Sequence, residues 1–167
     1  MAATVEICET NTSETTVSHN IANSNMGNLD APELDTVSYP IESGERSYIK
    51  YQRLHVTAMG GSSVIDDIRV WRSGALGGSA THVCNLKTSS YDGALTYATP
   101  VKTAVTYVDE TMPSSEPASA NLGIGGSLTG ELTDVGYSDY LGHQIIPNSS
   151  DTVGSTSTLT FQYKETA

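Results

Sequence analysis

The chain has 167 residues, a size that fits one domain burying roughly 70% of the surface its unfolded form exposes. Nineteen acidic residues against eight basic ones give a formal charge of −11, which disfavours direct nucleic acid binding and attachment to anionic membranes. Only 7% of the residues are aromatic, nine tyrosines with one Phe and one Trp, so most large rings carry a hydroxyl that needs water or a partner.

In chain order, Thr4-Val5-Glu6-Ile7-Cys8 and Thr16-Val17-Ser18-His19-Asn20-Ile21 read as the first strands, separated by a polar stretch. Turn chemistry follows, with Asn25, Gly27, Asn28, Asp30 and Pro32 close together, and a second turn at Glu42-Ser43-Gly44-Glu45. Residues 47–73 hold the only Trp and the densest β-branched and aromatic content. Two β-rich runs there flank Met59-Gly60-Gly61-Ser62-Ser63, which predicts a central hairpin. In its second run Val64, Asp66, Ile68 and Val70 share one face, while Ile65, Asp67, Arg69 and Trp71 share the other. The first run changes phase near Gln52-Arg53, where a β-bulge is expected.

Residues 72–82, rich in Gly and Ser, are expected to cross the surface as a loop. Short strands are expected at 83–86, 95–97 and 103–108, with Pro100 as a break between the last two. The run 112–120 reads as a surface loop of polyproline character. Leu122-Gly123-Ile124-Gly125-Gly126 suggests a bent strand lying close to another backbone, followed by candidates at 128–132 and 140–146. The last run is the most regular. Leu159, Phe161 and Tyr163 alternate with Thr158, Thr160, Gln162 and Lys164, which places the Phe161 ring in the core.

About nine short strands, frequent turn signals and no amphipathic helix of three turns predict an all-β fold. The expected form is an antiparallel β-sandwich, jelly-roll or immunoglobulin-like, over residues 38–167. Residues 1–37 are expected to form an N-terminal arm or edge strands packed on the same domain.

Catalytic and metal motifs are sparse. His19, His55, His82 and His143 have no i, i+2 or i, i+4 pairing and share no short motif with Cys8 or Cys84, so a zinc site has little support, and no cofactor is expected. Asp66-Asp67 lacks the Asp-x-Asp-x-Asp-Gly context of a calcium loop. Residues 122–126 lack the Lys and the following helix that a phosphate loop needs, and no nucleophile elbow is present. Trp71 and several tyrosines could stack on a sugar, but core or interface packing is the better default. Cys8 and Cys84 are expected as free, buried thiols, and the sequons at Asn11 and Asn148 carry no meaning without secretion. No membrane span or Sec signal is seen, which predicts synthesis in a cytoplasm.

Two blocks together resemble a family of small structural proteins of tailed-phage virions. The first runs through Ser38-Tyr39-Pro40-Ile41, Ser47-Tyr48-Ile49-Lys50-Tyr51 and Ile65-Asp66-Asp67-Ile68-Arg69-Val70-Trp71-Arg72-Ser73-Gly74. The second runs through Tyr97-Ala98-Thr99-Pro100-Val101, Pro113-Ser114-Ser115-Glu116-Pro117-Ala118-Ser119-Ala120-Asn121, Gly136-Tyr137-Ser138-Asp139-Tyr140 and Thr160-Phe161-Gln162-Tyr163. The resemblance implies a β-sandwich virion component without catalytic residues, and residues 1–37 lie outside it. On this reading the chain is a head decoration or cement protein on the capsid exterior, binding the major capsid protein and further copies of itself. Tyr48, Tyr51, Arg53, Arg69 and Trp71 are the candidate interface residues. A tail or fibre accessory domain, with or without a carbohydrate site, is the alternative, and a cytoplasmic enzyme or binding protein outside the virion is the second.

Overall fold

Alternating apolar and polar residues give a strand one buried face, and the chain uses that period to build two unequal layers. A computed structural model describes residues 1–76, 78–151 and 154–167. Its strands are β1 (Thr4–Thr10), β2 (Val17–Ser18), β3 (Lys50–Ala58), β4 (Val64–Ser73), β5 (Thr81–Cys84), β6 (Glu110–Thr111), β7 (Gly136–Tyr137), β8 (Leu141–Ile146) and β9 (Thr158–Thr166). All pairings are antiparallel, and the described residues include no helix. The all-β expectation therefore holds. The larger sheet runs β2-β1-β3-β8-β5-β6, with β7 also on β3, and the smaller is the β4-β9 ribbon.

The expected central hairpin does not form. β3 gives one edge to β1, in register from Val5↔Val56 to Thr10↔Tyr51, and the other to β8 and β7. β4 pairs with β9 instead. The apolar sides of β3 and β4 bury each other across the layers, with Leu54 and Val56 packed against Ile65, rather than lying side by side in one sheet. The loop between them is pinned by the N-terminus. Gly61 N–H donates to the Met1 carbonyl at 2.6 Å, and Gly60 adopts φ 61° where a Cβ would lie 2.3 Å from the Ala2 carbonyl oxygen.

The first run does shift register, but near Thr57 opposite Thr4 and Val5 and not at the expected place, and a second shift lies in the other strand. Register along β1–β3 is unbroken at Gln52-Arg53, whereas β4 shifts between Asp66 and Arg69, with Asp67 at φ 51°. This changes the expected faces: Ile65, Ile68 and Val70 are all buried, and Ile65 does not share the Arg69 and Trp71 side. Arg69 fixes the bulge by donating to both Asp67 carboxylate oxygens, at 3.2 and 2.5 Å.

Between the layers, Ile68 and Val70 meet Cys84, Leu86, Met112, Leu122, Ile124 and Leu141. A second cluster covers the outer face of the large sheet. There Ile49, Tyr51, Val83, Val108 and Tyr140 pack under Leu95, Tyr97 and Val105. This explains why 95–97 and 103–108 are not strands. Leu95 and Tyr97 alternate onto the sheet, but over 103–108 the covered residues are Val105 and Val108, three apart, and Val108 N–H turns back to the Val105 carbonyl, so the expected period of two is not kept there. Residues 128–132 likewise give only a single bridge, Leu132 to Ile65. In the expected loop over 72–82, β4 runs on to Ser73 and β5 begins at Thr81, and Gly77 lies outside the described residues.

Residues 122–126 form a tight turn. Ile124 and Ser127 bridge across Gly125 and Gly126, both at positive φ. The Gly126 N–H is held by both oxygens of Asp139, at 3.1 and 3.0 Å, and the Gly123 N–H by the Tyr91 hydroxyl. A Cβ on Gly123 would lie 2.5 Å from Asp139 Oδ2 and 2.9 Å from the Ser127 carbonyl oxygen, so the run is crowded by side chains and by its own turn rather than lying as a bent strand against another one. Its amides serve the fold.

In β9, Leu159, Phe161 and Tyr163 face the core. Phe161 is only half-buried, because it borders an opening of about 930 Å³ between the layers. Phe161→Ala is accordingly expected to cost about 2 kcal/mol, below the range for a closed core, and Thr160→Ala under about 0.5 kcal/mol. Urea midpoints check this, and equal midpoints would overturn the face assignment.

Candidate functional site

The pairing of β1 with β3 places Glu6 directly opposite His55, and Cys8 follows two residues later on the same side of β1. The short β1–β2 pairing, in register at Glu9↔Ser18, and the bond from Ile21 N–H to the Ile7 carbonyl then carry His19 over these two residues. Four potential ligand groups converge as a result. The Nδ1 atoms of His19 and His55 each lie 2.7 Å from Glu6 Oε1, Cys8 Sγ is 3.5 Å from that oxygen, and Cys8 Sγ is 3.3 Å from His19 Nδ1. All four ligand atoms lie within 4.8 Å of one another.

The surroundings hold this cluster in place. The His55 ring stacks on Tyr137, centroids 4.0 Å apart and planes 8° from parallel. The Arg53 guanidinium lies 4.1 Å from the centre of the same Tyr137 ring and 4.2 Å from that of Tyr140. Hydrogen bonds from His55 and then His19 lower the Glu6 carboxyl to about 2, so it is ionised at neutral pH. Burial, with the Glu6 charge adding, raises the Cys8 thiol to about 11. Cys8 is 1% exposed while the His19 side chain is 50% exposed, so the cluster has a closed floor and an open side.

Sequence spacing leaves these residues scattered, since Cys8, His19 and His55 share no motif. The structure brings them together through strand register. The one local signal is the Glu6-x-Cys8 pair on a strand, and it gains meaning only once His55 is known to be its neighbour.

The other two histidines also meet. His82 Nε2 and His143 Nδ1, on the paired strands β5 and β8, are 2.8 Å apart, and both rings are buried. Burial first, then nearby basic groups (His143 and Arg72 for His82, Lys50 for His143), push both well below the usual imidazole range, so both are neutral. His82 Nδ1, His143 Nε2 and Gln52 Oε1 have no protein partner among the described residues, and all three side chains line the opening between the layers.

The five candidate interface residues do not form one patch. Tyr51, 1% exposed, is a core residue packed on Tyr97 and Tyr140 and is not available to a partner. Arg53 is spent on the two tyrosine rings, and Tyr48, half-buried, donates its N–H to the Gly27 carbonyl. Arg69 and Trp71 lie in the other layer, Arg69 paired with Asp67 and Glu116 and Trp71 half-buried across from Thr160. Cys8 and Cys84 are free, buried thiols, and burial takes Cys84 to about 12.

A different surface stands out for association. Nine-residue β9 ends the small sheet, and among the described residues no backbone hydrogen bond reaches its outer edge. The opposite edge of β4 is covered: Arg72 N–H donates to the Pro113 carbonyl, and Asn121 and Leu122 donate to the Ile68 carbonyl.

These features define a class: an antiparallel, two-layer β-protein with one long open strand edge and a His/Cys/carboxylate cluster on its large sheet. No family model, no curated protein and no solved structure matches the chain.

Proposed function

We propose that this chain is a structural component of a phage virion, a decoration or cement protein that binds the major capsid protein and copies of itself on the outside of the head. The observation that carries the reading is the open edge of β9. An unpaired edge of this length is a template for strand addition by a neighbouring subunit. It is defended only by Lys164 and Glu165 and has no proline. The sequence resemblance supplies the kind of particle, and a charge of −11 suits a surface that faces away from packaged DNA. No catalysis is part of this function.

The test is binding to shells. The protein should bind assembled, expanded shells far better than isolated capsid subunits, because the shell presents several weak contacts at once. Thr158→Lys with Gln162→Lys, both on exposed positions of β9, should weaken shell binding at least tenfold while leaving the urea midpoint near wild type. Shells without the protein should form but lose their contents sooner on heating, and adding it back should restore them. Co-purification with tails and never with heads would overturn the head assignment in favour of the tail or fibre alternative. Absence from purified virions would overturn the structural role.

A further inference from the structure

We propose that Glu6, Cys8, His19 and His55 form a binding site for a divalent transition-metal ion of the zinc type, clamping the N-terminal strand and the return after β2 onto β3. The proposal is independent of the assembly reading, because it concerns β1 and β3 of the large sheet, whereas the open edge belongs to β9 of the small one.

The donor set is the first argument. Two imidazole nitrogens, one sulfur and one carboxylate oxygen suit a borderline-soft ion and are a poor set for calcium or magnesium, which take oxygen ligands. Geometry is the second. With metal–ligand bonds of about 2.0 to 2.3 Å, neighbouring ligands of a tetrahedral ion sit roughly 3.3 to 3.7 Å apart. The Cys8 Sγ contacts at 3.3 and 3.5 Å already have this spacing. The two histidine contacts to Glu6, at 2.7 Å, need to open by about 0.6 Å, and half-exposed His19 has room to move.

Preorganisation is the third argument. Glu6, Cys8 and His55 are fixed by a seven-pair strand register, and the Tyr137 stack sets the plane of the His55 ring, as outer partners do for metal-bound histidines. On binding, the Cys8 thiol releases its proton to solvent. Each imidazole gives up the Nδ1 proton it now shares with Glu6 and carries its ring proton on Nε2, and the thiolate, the two freed Nδ1 lone pairs and a Glu6 oxygen then ligate the ion.

Cobalt(II) titration of the chelator-treated wild-type protein tests this. One equivalent per chain should bind, giving the intense visible bands of a tetrahedral ion and a thiolate-to-cobalt charge-transfer band, and zinc should displace it. Cys8→Ser should abolish the charge-transfer band, and His19→Ala and His55→Ala should each weaken binding at least about tenfold. A reading on the unmodified chain avoids any folding defect of the variants: zinc should slow alkylation of Cys8 more than that of Cys84, the other buried thiol. No saturable binding at one ion per chain, a cobalt spectrum without thiolate character, or Cys8 alkylation indifferent to zinc would each overturn the proposal.

Discussion

Acidification from about pH 7 to about pH 4.5 is expected to remove up to about 5 kcal/mol of stability, a large share of the total for a domain of this size. The cause is the buried His82–His143 pair. Both rings are held neutral in the folded chain, their pKa lowered from the model-compound value of 6.5, whereas in the unfolded chain both take a proton below that value. A depressed folded pKa gives stability that is complete above 6.5 and lost as the pH falls, at about 1.4 kcal/mol per pH unit for each ring. The loss begins well above the carboxylate range, which separates it from ordinary acid unfolding. Urea midpoints at a series of pH values should show a slope approaching two protons, and His143→Gln should halve it. Stability that stays level between about pH 6.5 and 4.5 would show that the pair is charged or open to water in the folded state.

Removal of the Lys50 charge by Lys50→Met should cost about 3 to 5 kcal/mol. The side chain is fully buried, and its ammonium lies 3.0 Å from Glu9 Oε1, 2.8 Å from the Ala31 carbonyl and 4.0 Å from Asp30 Oδ1. Glu9 also accepts from Asn11 at 3.1 Å, from Gln52 at 3.2 Å and from the Ser24 hydroxyl. Asp30 in turn holds Asn11 Nδ2 at 2.9 Å and the Thr12 N–H at 2.6 Å. This network fastens the end of β1 and the turn segment around residue 30 to the start of β3. Methionine fills the volume but leaves two carboxylates facing each other without a cation, so the loss is electrostatic. Lys50→Met combined with Glu9→Gln should therefore lose less than Lys50→Met alone, a sign that no packing defect can mimic. A single variant within about 1 kcal/mol of wild type in urea would mean that water reaches the network.

The network also shows where sequence reading stops. Lys50 and Glu9 look like surface charges in the sequence, 41 positions apart. They lie on the inner side of the large sheet because period two puts them in phase with Leu54, Val56, Val5 and Ile7, and nothing local says that the polar end of that side is covered.

What the sequence determines by itself is local. The spacing of Leu159, Phe161 and Tyr163 gives β9 and its inward face, the runs beginning at Thr4 and Tyr140 give β1 and β8, and the turn residues and missing helical period give the all-β class. The run 122–126, by contrast, reads as a bent strand and folds as a turn, with Gly125 and Gly126 both at positive φ. Partner choice lay beyond the sequence. Period two says which side of a strand is apolar, but not which edge it shares, so β3 and β4, adjacent in the chain, were free to separate into two layers. One residue at positive φ, Asp67, then moved Ile65 to the core side of β4. Register decided the rest: it set His55 opposite Glu6 and His82 beside His143, because contacts between strands depend on hydrogen-bonded alignment over long sequence separations, which no spacing along one chain encodes.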